Sequence, residues 1–374
     1  MSLEPAARIE ARRPPEPIPL TVLTGFLGAG KTTLLNRLLA APEFADTLVL
    51  VNEFGDIALD HLLIEKVEGD TIVLSGGCVC CAVRGELVAA LEDALRKHDN
   101  SRIAPFRRVV FETTGLADPA PALHAIMTHP YLMLRYRLDG VITVVDAVNG
   151  ALTLDAHEEA VKQAAVADRL VVTKTDLPEG AVRKPELLER LARLNPTARI
   201  VIAADGEATP DTLLDCGLYA RESNAPRLAR WLNCAPLEAP SSRDNARHEG
   251  GVRSFVFASA TPLAPDAFEW FLDLLRQAHG PRLLRVKGVV ALADDPERPV
   301  VIHGVQHVFH PPHRLAAWPD SDRRTRIVFI VKDMDETFVR GLYAAFAGER
   351  APDRPDATAL QNNPLAPRSG GLLR

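Results

Sequence analysis

The sequence lacks any long run of apolar or of basic residues. No stretch approaches the roughly 20 apolar residues of a membrane-spanning helix, and the first residues, MSLEPAARIEARRPPEP, lack the apolar core of a secretory signal. A net charge of -6 without a long basic run argues against a general nucleic-acid binder. We therefore expect a cytoplasmic protein that has no membrane or nucleic-acid partner.

Cysteine is also scarce, and its placement argues against a disulfide scaffold. Three of the five cysteines stand together as Cys78, Cys80 and Cys81. Neighbouring cysteines can close only strained disulfide rings, so reduced thiols are expected.

The chain has 374 residues, which is longer than one hydrophobic core usually serves and favours two domains. A polar, proline-bearing stretch that ends in two glycines, APLEAPSSRDNARHEGG, has the composition of a linker. Both ends of the chain are rich in proline and polar residues. We predict a flexible leader at 1–17, an α/β domain at 18–235, a linker at 236–251, a smaller α+β domain at 252–347 and a disordered tail at 348–374.

Residues 21–39, TVLTGFLGAGKTTLLNRLL, combine an apolar strand, a glycine-rich turn and a helix with leucines at helical spacing. Glycines let successive backbone N–H groups approach phosphate oxygens, and the helix directs its positive end at them. Lys31 can reach the β and γ phosphates, and Thr32 can offer its hydroxyl to Mg²⁺. The motif predicts a phosphate-binding loop whose contact residues are Gly25, Gly28, Ala29, Gly30, Lys31, Thr32 and Thr33.

Acidic residues follow two other predicted strands. Glu53 and Asp56 come after a strand at 47–51, where α/β proteins bind ligands, although a solvated turn explains them equally well. Glu112 ends the apolar strand at 108–111, in a position to hold Mg²⁺ or to orient the attacking water. Gly115 then permits the following turn to move with the γ phosphate.

The cysteine cluster follows two glycines, between a strand at 71–74 and a helix at about 84–98. Thiolates favour zinc, copper(I) and related metals, and three of them can supply most of a zinc shell. The alternative is buried, inert cysteine, which suits a lone residue better than three on one turn. We favour a metal site at Cys78, Cys80 and Cys81.

The tetrapeptide Thr173-Lys174-Thr175-Asp176 follows a strand at 169–172. The Asp176 carboxylate can accept two hydrogen bonds from guanine, whereas adenine offers no matching pair, and the Lys174 stem can cover the base. The motif favours GTP over ATP.

Alternating strands and helices predict a P-loop NTPase fold of the α/β class, with a mainly parallel sheet that carries helices on both faces. Its further strands are expected at 141–145 and 199–203, with Asp146 as a helix cap or turn residue and Asp118 at a helix start. The smaller C-terminal α+β domain is predicted to have strands at 252–259, 283–292, 300–309 and 326–331, and helices at 265–278 and 336–346.

Four histidines in that domain, at positions 303, 307, 310 and 313, do not share one strand face. His310 has the opposite parity to His303 and His307, and Pro311 and Pro312 stop the strand before His313. A common metal site would need a bend, so we favour surface or packing histidines.

The sequence resembles the CobW family of P-loop GTPases, which are regarded as metallochaperones or metal-insertion proteins. The resemblance covers GFLGAGKTT, VNEFGD, GGCVCC, ETTGLADP, TKTD and the later stretches LLRVKGVV, IHGVQHVF and RIVFI. It implies metal binding by the three clustered cysteines, nucleotide and magnesium binding by Lys31 and Thr32, and a place for Glu112 in the second nucleotide motif. Thr173 replaces an Asn common in GTPases, and Asp56 replaces a frequent Glu.

Our first hypothesis is a GTP-hydrolysing metallochaperone that uses Mg²⁺, carries Zn²⁺ or alternatively Co²⁺, and delivers it to a client metalloprotein. The second is a regulatory GTPase switch with structural or redox cysteines and a protein-binding second domain. An ATP-dependent enzyme is the third, and comparable turnover of ATP and GTP would favour it. The sequence identifies neither the client nor the oligomeric state.

Overall fold

The computed structural model describes residues 15–54, 71–76, 82–214 and 251–348. Cys78, Cys80, Cys81 and Asp56 lie outside the described residues, as do most of the predicted leader, linker and tail. Glu53 lies in a described strand, but its side chain is not described.

In the described part of the chain the first sheet has seven strands, and every neighbouring pair is parallel. Their spatial order is β3-β2-β4-β1-β5-β6-β7. This confirms the predicted parallel α/β sheet. The strands are β1 Ile18–Gly25, β2 Thr47–Phe54, β3 Thr71–Gly76, β4 Arg108–Glu112, β5 Tyr136–Asp146, β6 Arg169–Thr173 and β7 Arg199–Ile202.

Helices cover both faces of this sheet because the side chains of its central strand alternate. Leu20 and Val22 of β1 belong to one apolar cluster with Leu87 and Leu123, whereas Leu23 packs in a second cluster with helix residues 34 and 35. The predicted helices on both faces are thereby confirmed. They are α1 Lys31–Leu39, α2 Ala82–Asp99, α3 Ala120–Thr128, α4 Pro130–Arg135, α5 Gly150–Ala156, α6 Glu158–Val166, α7 Pro178–Leu194 and α8 Pro210–Leu213.

In the described part of the chain every neighbouring pair of strands in the second sheet is antiparallel. Their spatial order is β11-β10-β9-β13-β8, and β12 also pairs with β10. Two amphipathic helices pack on it through an apolar cluster that includes Phe271 and Val339. The predicted α+β class of this region is confirmed. Its elements are β8 Val252–Ser259, α9 Pro265–His279, β9 Leu283–Val290, β10 Val300–Val305, β11 Val308–Phe309, β12 His313–Arg314, β13 Thr325–Lys332 and α10 Glu336–Phe346.

The single strand predicted at 300–309 is wrong. The chain reverses at Gln306, whose φ of 52° is left-handed, and β10 and β11 form a hairpin. The turn brings the rings of His303 and His310 to 5.1 Å between centroids, while His307 lies 4.7 Å from His124 of α3. Strand parity did not predict the contact between His303 and His310, because it assumes an unbroken strand. The four histidines still do not form one cluster among the described residues.

The two sheets share apolar packing. Leu284 of β9 and Ile330 of β13 lie in the same buried cluster as Val161 of α6 and Leu191 of α7. Within the described residues, no helix is long and apolar enough to cross a bilayer. The second sheet is therefore packed against helices that flank the carboxyl half of the first.

Candidate functional site

The glycine-rich loop between β1 and α1 has the backbone that a phosphate site needs. Gly28 and Gly30 have φ values of 71° and 96°, and Gly30 is the residue from which α1 begins. A Cβ on Gly25 would lie 2.4 Å from the Val144 carbonyl oxygen of β5, so no larger residue fits there. The N-terminus of α1 opens onto this loop, which is the arrangement that binds anions.

Lys31 is folded over the loop. Its ammonium donates to the carbonyl oxygens of Gly25 at 3.0 Å and Phe26 at 3.4 Å, and the residue is 9% exposed. Thr33, two positions further on, is exposed. An ammonium held over a glycine-rich loop at a helix N-terminus is suited to phosphate oxygens.

Thr32 of α1 contacts Glu112 at the end of β4. The Thr32 hydroxyl donates to the Glu112 carboxylate at 3.2 Å, and Glu112 is buried. Parallel pairing of β1 with β4 places Glu112 opposite Leu23, two residues before the loop. The sheet register therefore brings together the two oxygen groups that the sequence predicted separately.

Thr173 braces the phosphate loop directly. Its hydroxyl donates to the Ala29 carbonyl oxygen at 2.7 Å and lies 3.3 Å from that of Val145. The Asn-to-Thr departure thus removes an amide without removing the brace.

The rest of the TKTD motif differs in exposure and partners. Lys174 has a φ of 57°, and its ammonium lies 2.6 Å from Asp146. Burial alone would raise the pKa of Asp146, but hydrogen bonds from Lys174 and the Val148 N–H outweigh it and lower that pKa. Asp176 is exposed. Asp146 therefore acts as the predicted turn residue and also holds Lys174.

A cavity of about 100 Å³ adjoins the loop on the side of α5 and α6. Residues 26–29 of the loop form one wall, and Asp146, Lys174 and Gln163 contribute polar groups. The cavity is closed mainly by apolar side chains, among them Val145, Leu154 and Ala160.

The acidic and cysteine segments emerge from neighbouring strands. β2 and β3 pair in parallel up to Phe54 and Gly76, so both strands end at the edge where β1 enters the phosphate loop. Among the residues that the structure describes, no group of three His, Cys, Asp or Glu side chains is placed to hold a metal ion. The described histidines therefore provide no metal centre, and the cysteine site stays a prediction.

Gln163 is a site residue that the sequence did not indicate. It is 1% exposed, and its amide donates to the carbonyl oxygens of Gly115 at 3.2 Å and Ala117 at 2.9 Å. The available signal was a single amide immediately before the apolar run AAVA, where a buried polar side chain needs partners.

Comparisons with known proteins agree with this geometry. Residues 19–202 match the model of the CobW/HypB/UreG nucleotide-binding domain, and residues 252–346 match that of the cobalamin synthesis protein cobW C-terminal domain. The zinc chaperone YjiA of Escherichia coli is 34% identical over 89% of this chain and 99% of its own. The zinc chaperone CobW of a Sinorhizobium species is 29% identical over 88% and 97%.

Solved structures give the same relationship. The zinc-bound YjiA GTPase superposes with a TM-score of 0.66 at 29% identity, over 88% of this chain and 99% of that one. A zinc-bound triple variant of YjiA, in which one glutamate and two cysteines are replaced by alanine, has a TM-score of 0.67 with the same identity and coverage.

Proposed function

The chain belongs to the CobW family, with a CobW/HypB/UreG nucleotide-binding domain followed by a CobW C-terminal domain, and from this premise we propose that it is a GTP-hydrolysing zinc metallochaperone. The observation that carries the proposal is the common sheet edge: the phosphate loop, Glu112 and the strands leading to the acidic and cysteine segments all end there. A change at the nucleotide can therefore reach the metal-binding segment over a short distance.

The nucleotide is assigned to the loop of residues 25–33 and to the TKTD motif. Lys31 exchanges its carbonyl partners for phosphate oxygens, and the exposed Asp176 accepts the two hydrogen bonds that guanine offers. Thr173 keeps the loop in register with the base-binding segment through the Ala29 carbonyl. Relatives named as GTPases support hydrolysis as the reaction.

Thr32 and Glu112 suit Mg²⁺, because both offer oxygen ligands and lie within 3.2 Å of each other. When bound, Mg²⁺ neutralises charge that develops on the transferred phosphoryl group. In this chain Thr32 offers the hydroxyl, and Glu112 fixes that hydroxyl or orients the attacking water. Lys31 stabilises the phosphate oxygens as a second, protein-borne cation.

Zinc is the cargo, and Cys78, Cys80 and Cys81 are its proposed ligands. Three thiolates leave one position of a tetrahedral zinc shell for Glu53, Asp56, a water or a client ligand. An incomplete shell suits a carrier, because a client can add its own ligand before the protein releases the ion. Relatives named as zinc chaperones support zinc over cobalt.

The test is zinc affinity of the reduced protein, measured by competition with a chromogenic chelator. It is measured without nucleotide, with GDP, and with a non-hydrolysable GTP analogue plus Mg²⁺. We expect a shift of at least tenfold between nucleotide states, equal to about 1.4 kcal/mol of coupling. Equal affinities in all three states would contradict the proposal and favour a regulatory GTPase switch.

The cysteine assignment needs matched variants, because the YjiA variant that lacks two cysteines still binds zinc. Replacing Cys78, Cys80 and Cys81 by serine is expected to abolish the nucleotide-dependent shift, even where weaker zinc binding persists elsewhere. Replacing the two remaining cysteines, Cys216 and Cys234, is the control and should leave the shift intact. A shift that survives the triple replacement would place the carrier site outside the cysteine cluster.

A further inference from the structure

The turn that follows β4, residues 113–118, is contacted by side chains of helix α6. The Gln163 side-chain amide donates two hydrogen bonds to carbonyl oxygens of this turn, those of Gly115 and Ala117. One residue earlier on the helix, the Lys162 ammonium lies 3.4 Å from the Asp118 carboxylate. The second half of the turn therefore depends on α6 for its position.

The first half of the turn is fixed by a different element. The Thr113 N–H donates to the Leu23 carbonyl oxygen at 2.9 Å, and the Thr113 hydroxyl donates to the Thr24 hydroxyl at 2.8 Å. Both partners belong to β1. These bonds belong to the strand edge and do not reach Gly115. Without the Gln163 amide, the two carbonyl groups that it binds would lose these donors.

The position of this turn matters because it touches the phosphate loop. A Cβ on Gly115 would lie 2.7 Å from the backbone nitrogen of Leu27, so the two backbones are already in close contact. Glu112, immediately before the turn, binds Thr32. A displaced turn would alter the geometry on the γ-phosphate side of the loop.

We propose that Gln163 is a positioning residue for GTP hydrolysis. Its amide holds residues 114–117 against the phosphate loop, so that the turn meets the γ phosphate in one arrangement. The inference rests on the GTPase cycle proposed above and extends it to a helix without any nucleotide motif.

Helix α6 also contacts the second domain. Glu158, its first residue, lies 2.6 Å from Lys332 of β13, and Val161 shares an apolar cluster with Leu284 of β9. The second domain therefore supports the helix that carries Gln163. A partner that binds the second domain could therefore change the rate of hydrolysis by shifting α6.

The experiment is Gln163→Met, which keeps the length of the side chain and removes both donors. We expect the kcat for GTP to fall at least tenfold and affinity for a non-hydrolysable GTP analogue to fall about fivefold. GDP affinity should stay within twofold, because GDP has no γ phosphate for the turn to meet. Glu159→Gln, on the same helix, is the control and should change none of these values.

Gln163→Glu gives a second test that does not depend on the methionine variant folding well. The position is 1% exposed, and such burial raises the pKa of an introduced carboxyl towards neutral pH. The neutral glutamic acid can donate one hydrogen bond to the turn, whereas the ionised form can donate none. Its kcat relative to the natural protein should therefore be higher at pH 6 than at pH 8. An unchanged kcat, or equal losses of GDP and GTP-analogue affinity, would overturn the positioning role. Because zinc is not measured here, a failure of the metal proposal would leave this result interpretable.

Discussion

The Asp168 carboxylate of the first domain lies 2.5 Å from the Arg285 guanidinium of the second, and both side chains are fully buried. Lys287 lies 2.7 Å from the same carboxylate oxygen, and the Val141 N–H donates to the other at 3.0 Å. Burial alone would raise the pKa of Asp168, but the two cations outweigh it and hold that pKa far below its usual range. Burial lowers the pKa of Lys287 to about 8.

This ion cluster fixes the beginning of the strand that leads to the proposed guanine motif. Asp168 immediately precedes β6, Thr173 ends that five-residue strand, and the rest of the motif follows it. The position of the second domain and that of the proposed base-binding segment are therefore linked through one short strand. Such a cluster is strongly destabilised when one partner is removed, because the remaining charges stay buried.

Asp168→Asn should accordingly lower the free energy of unfolding by about 3–5 kcal/mol, measured by chemical denaturation. Asp155→Asn is the matched control, since Asp155 pairs with Arg190 but its side chain is 66% exposed, and its cost should be below about 1 kcal/mol. Similarly small losses in the free energy of unfolding for both variants would show that the buried cluster does not stabilise the contact between the two domains.

Acid should destabilise the natural protein through His310. Burial, and next the charge of Arg285, lower the pKa of His310 to about 4, whereas an unfolded histidine titrates near 6.5. Between these values the unfolded chain binds a proton that the folded chain does not, so the stability contribution present above pH 6.5 is lost as the pH falls towards 4. At pH 5 the loss from this residue is about 2 kcal/mol.

The measurement is the free energy of unfolding of the natural protein and of His310→Gln at pH 7 and pH 5. The variant should lose less stability on acidification, because it has no proton to bind at this position. Parallel pH profiles would show that His310 does not contribute. His303 stays in both proteins, and its pKa, lowered chiefly by burial, acts with the same sign in each.

The sequence was sufficient for the first domain because its fold depends on local patterns. Each strand is a short apolar run that ends in a polar or glycine-bearing turn, and parallel strands bring those turns to one edge. Thr32 and Glu112 could be assigned separately for this reason, and the sheet register then joined them. The second domain was harder, since the turn at Gln306 depends on a left-handed residue that is not glycine.

The long-range polar contacts could not be predicted from the sequence. Nothing local marks Asp168 as a partner of Arg285, 117 residues away, and nothing marks Gln163 as the support of a turn 46 to 48 residues earlier. Gln163 and Asp168 flank the apolar run AAVA, and a polar residue beside such a run can be buried and then needs a partner, but the pattern does not identify that partner. The Ala29 brace was likewise missed, because Thr173 was compared only with the amide it replaces.

Gly25 and Gly28 should respond differently to alanine. A Cβ on Gly25 would meet the Val144 carbonyl at 2.4 Å, so Gly25→Ala should separate β1 from β5 and lower both stability and GDP affinity. Gly28 has no atom within 4 Å of the added Cβ, and its φ of 71° costs about 1–2 kcal/mol for alanine. Gly28→Ala should fold, with reduced GDP affinity because the strained backbone would displace N–H groups of the proposed phosphate loop. Thermal unfolding and GDP titration of both variants distinguish the two mechanisms, and equal loss of stability would contradict them.

Thr173 offers the sharpest test of how the loop is braced. Thr173→Val has nearly the same shape but removes the donor to the Ala29 carbonyl, which should cost about 0.5–1.5 kcal/mol and weaken GDP binding by up to about tenfold. Thr173→Ser retains the hydroxyl and should bind GDP within twofold of the natural protein. Thr173→Asn restores the amide that many GTPases carry, and it should also bind well if an amide and a hydroxyl brace the loop equally. Weak binding by the asparagine variant together with normal binding by the serine variant would contradict this equivalence and show that the 2.7 Å contact with Ala29 requires the shorter side chain.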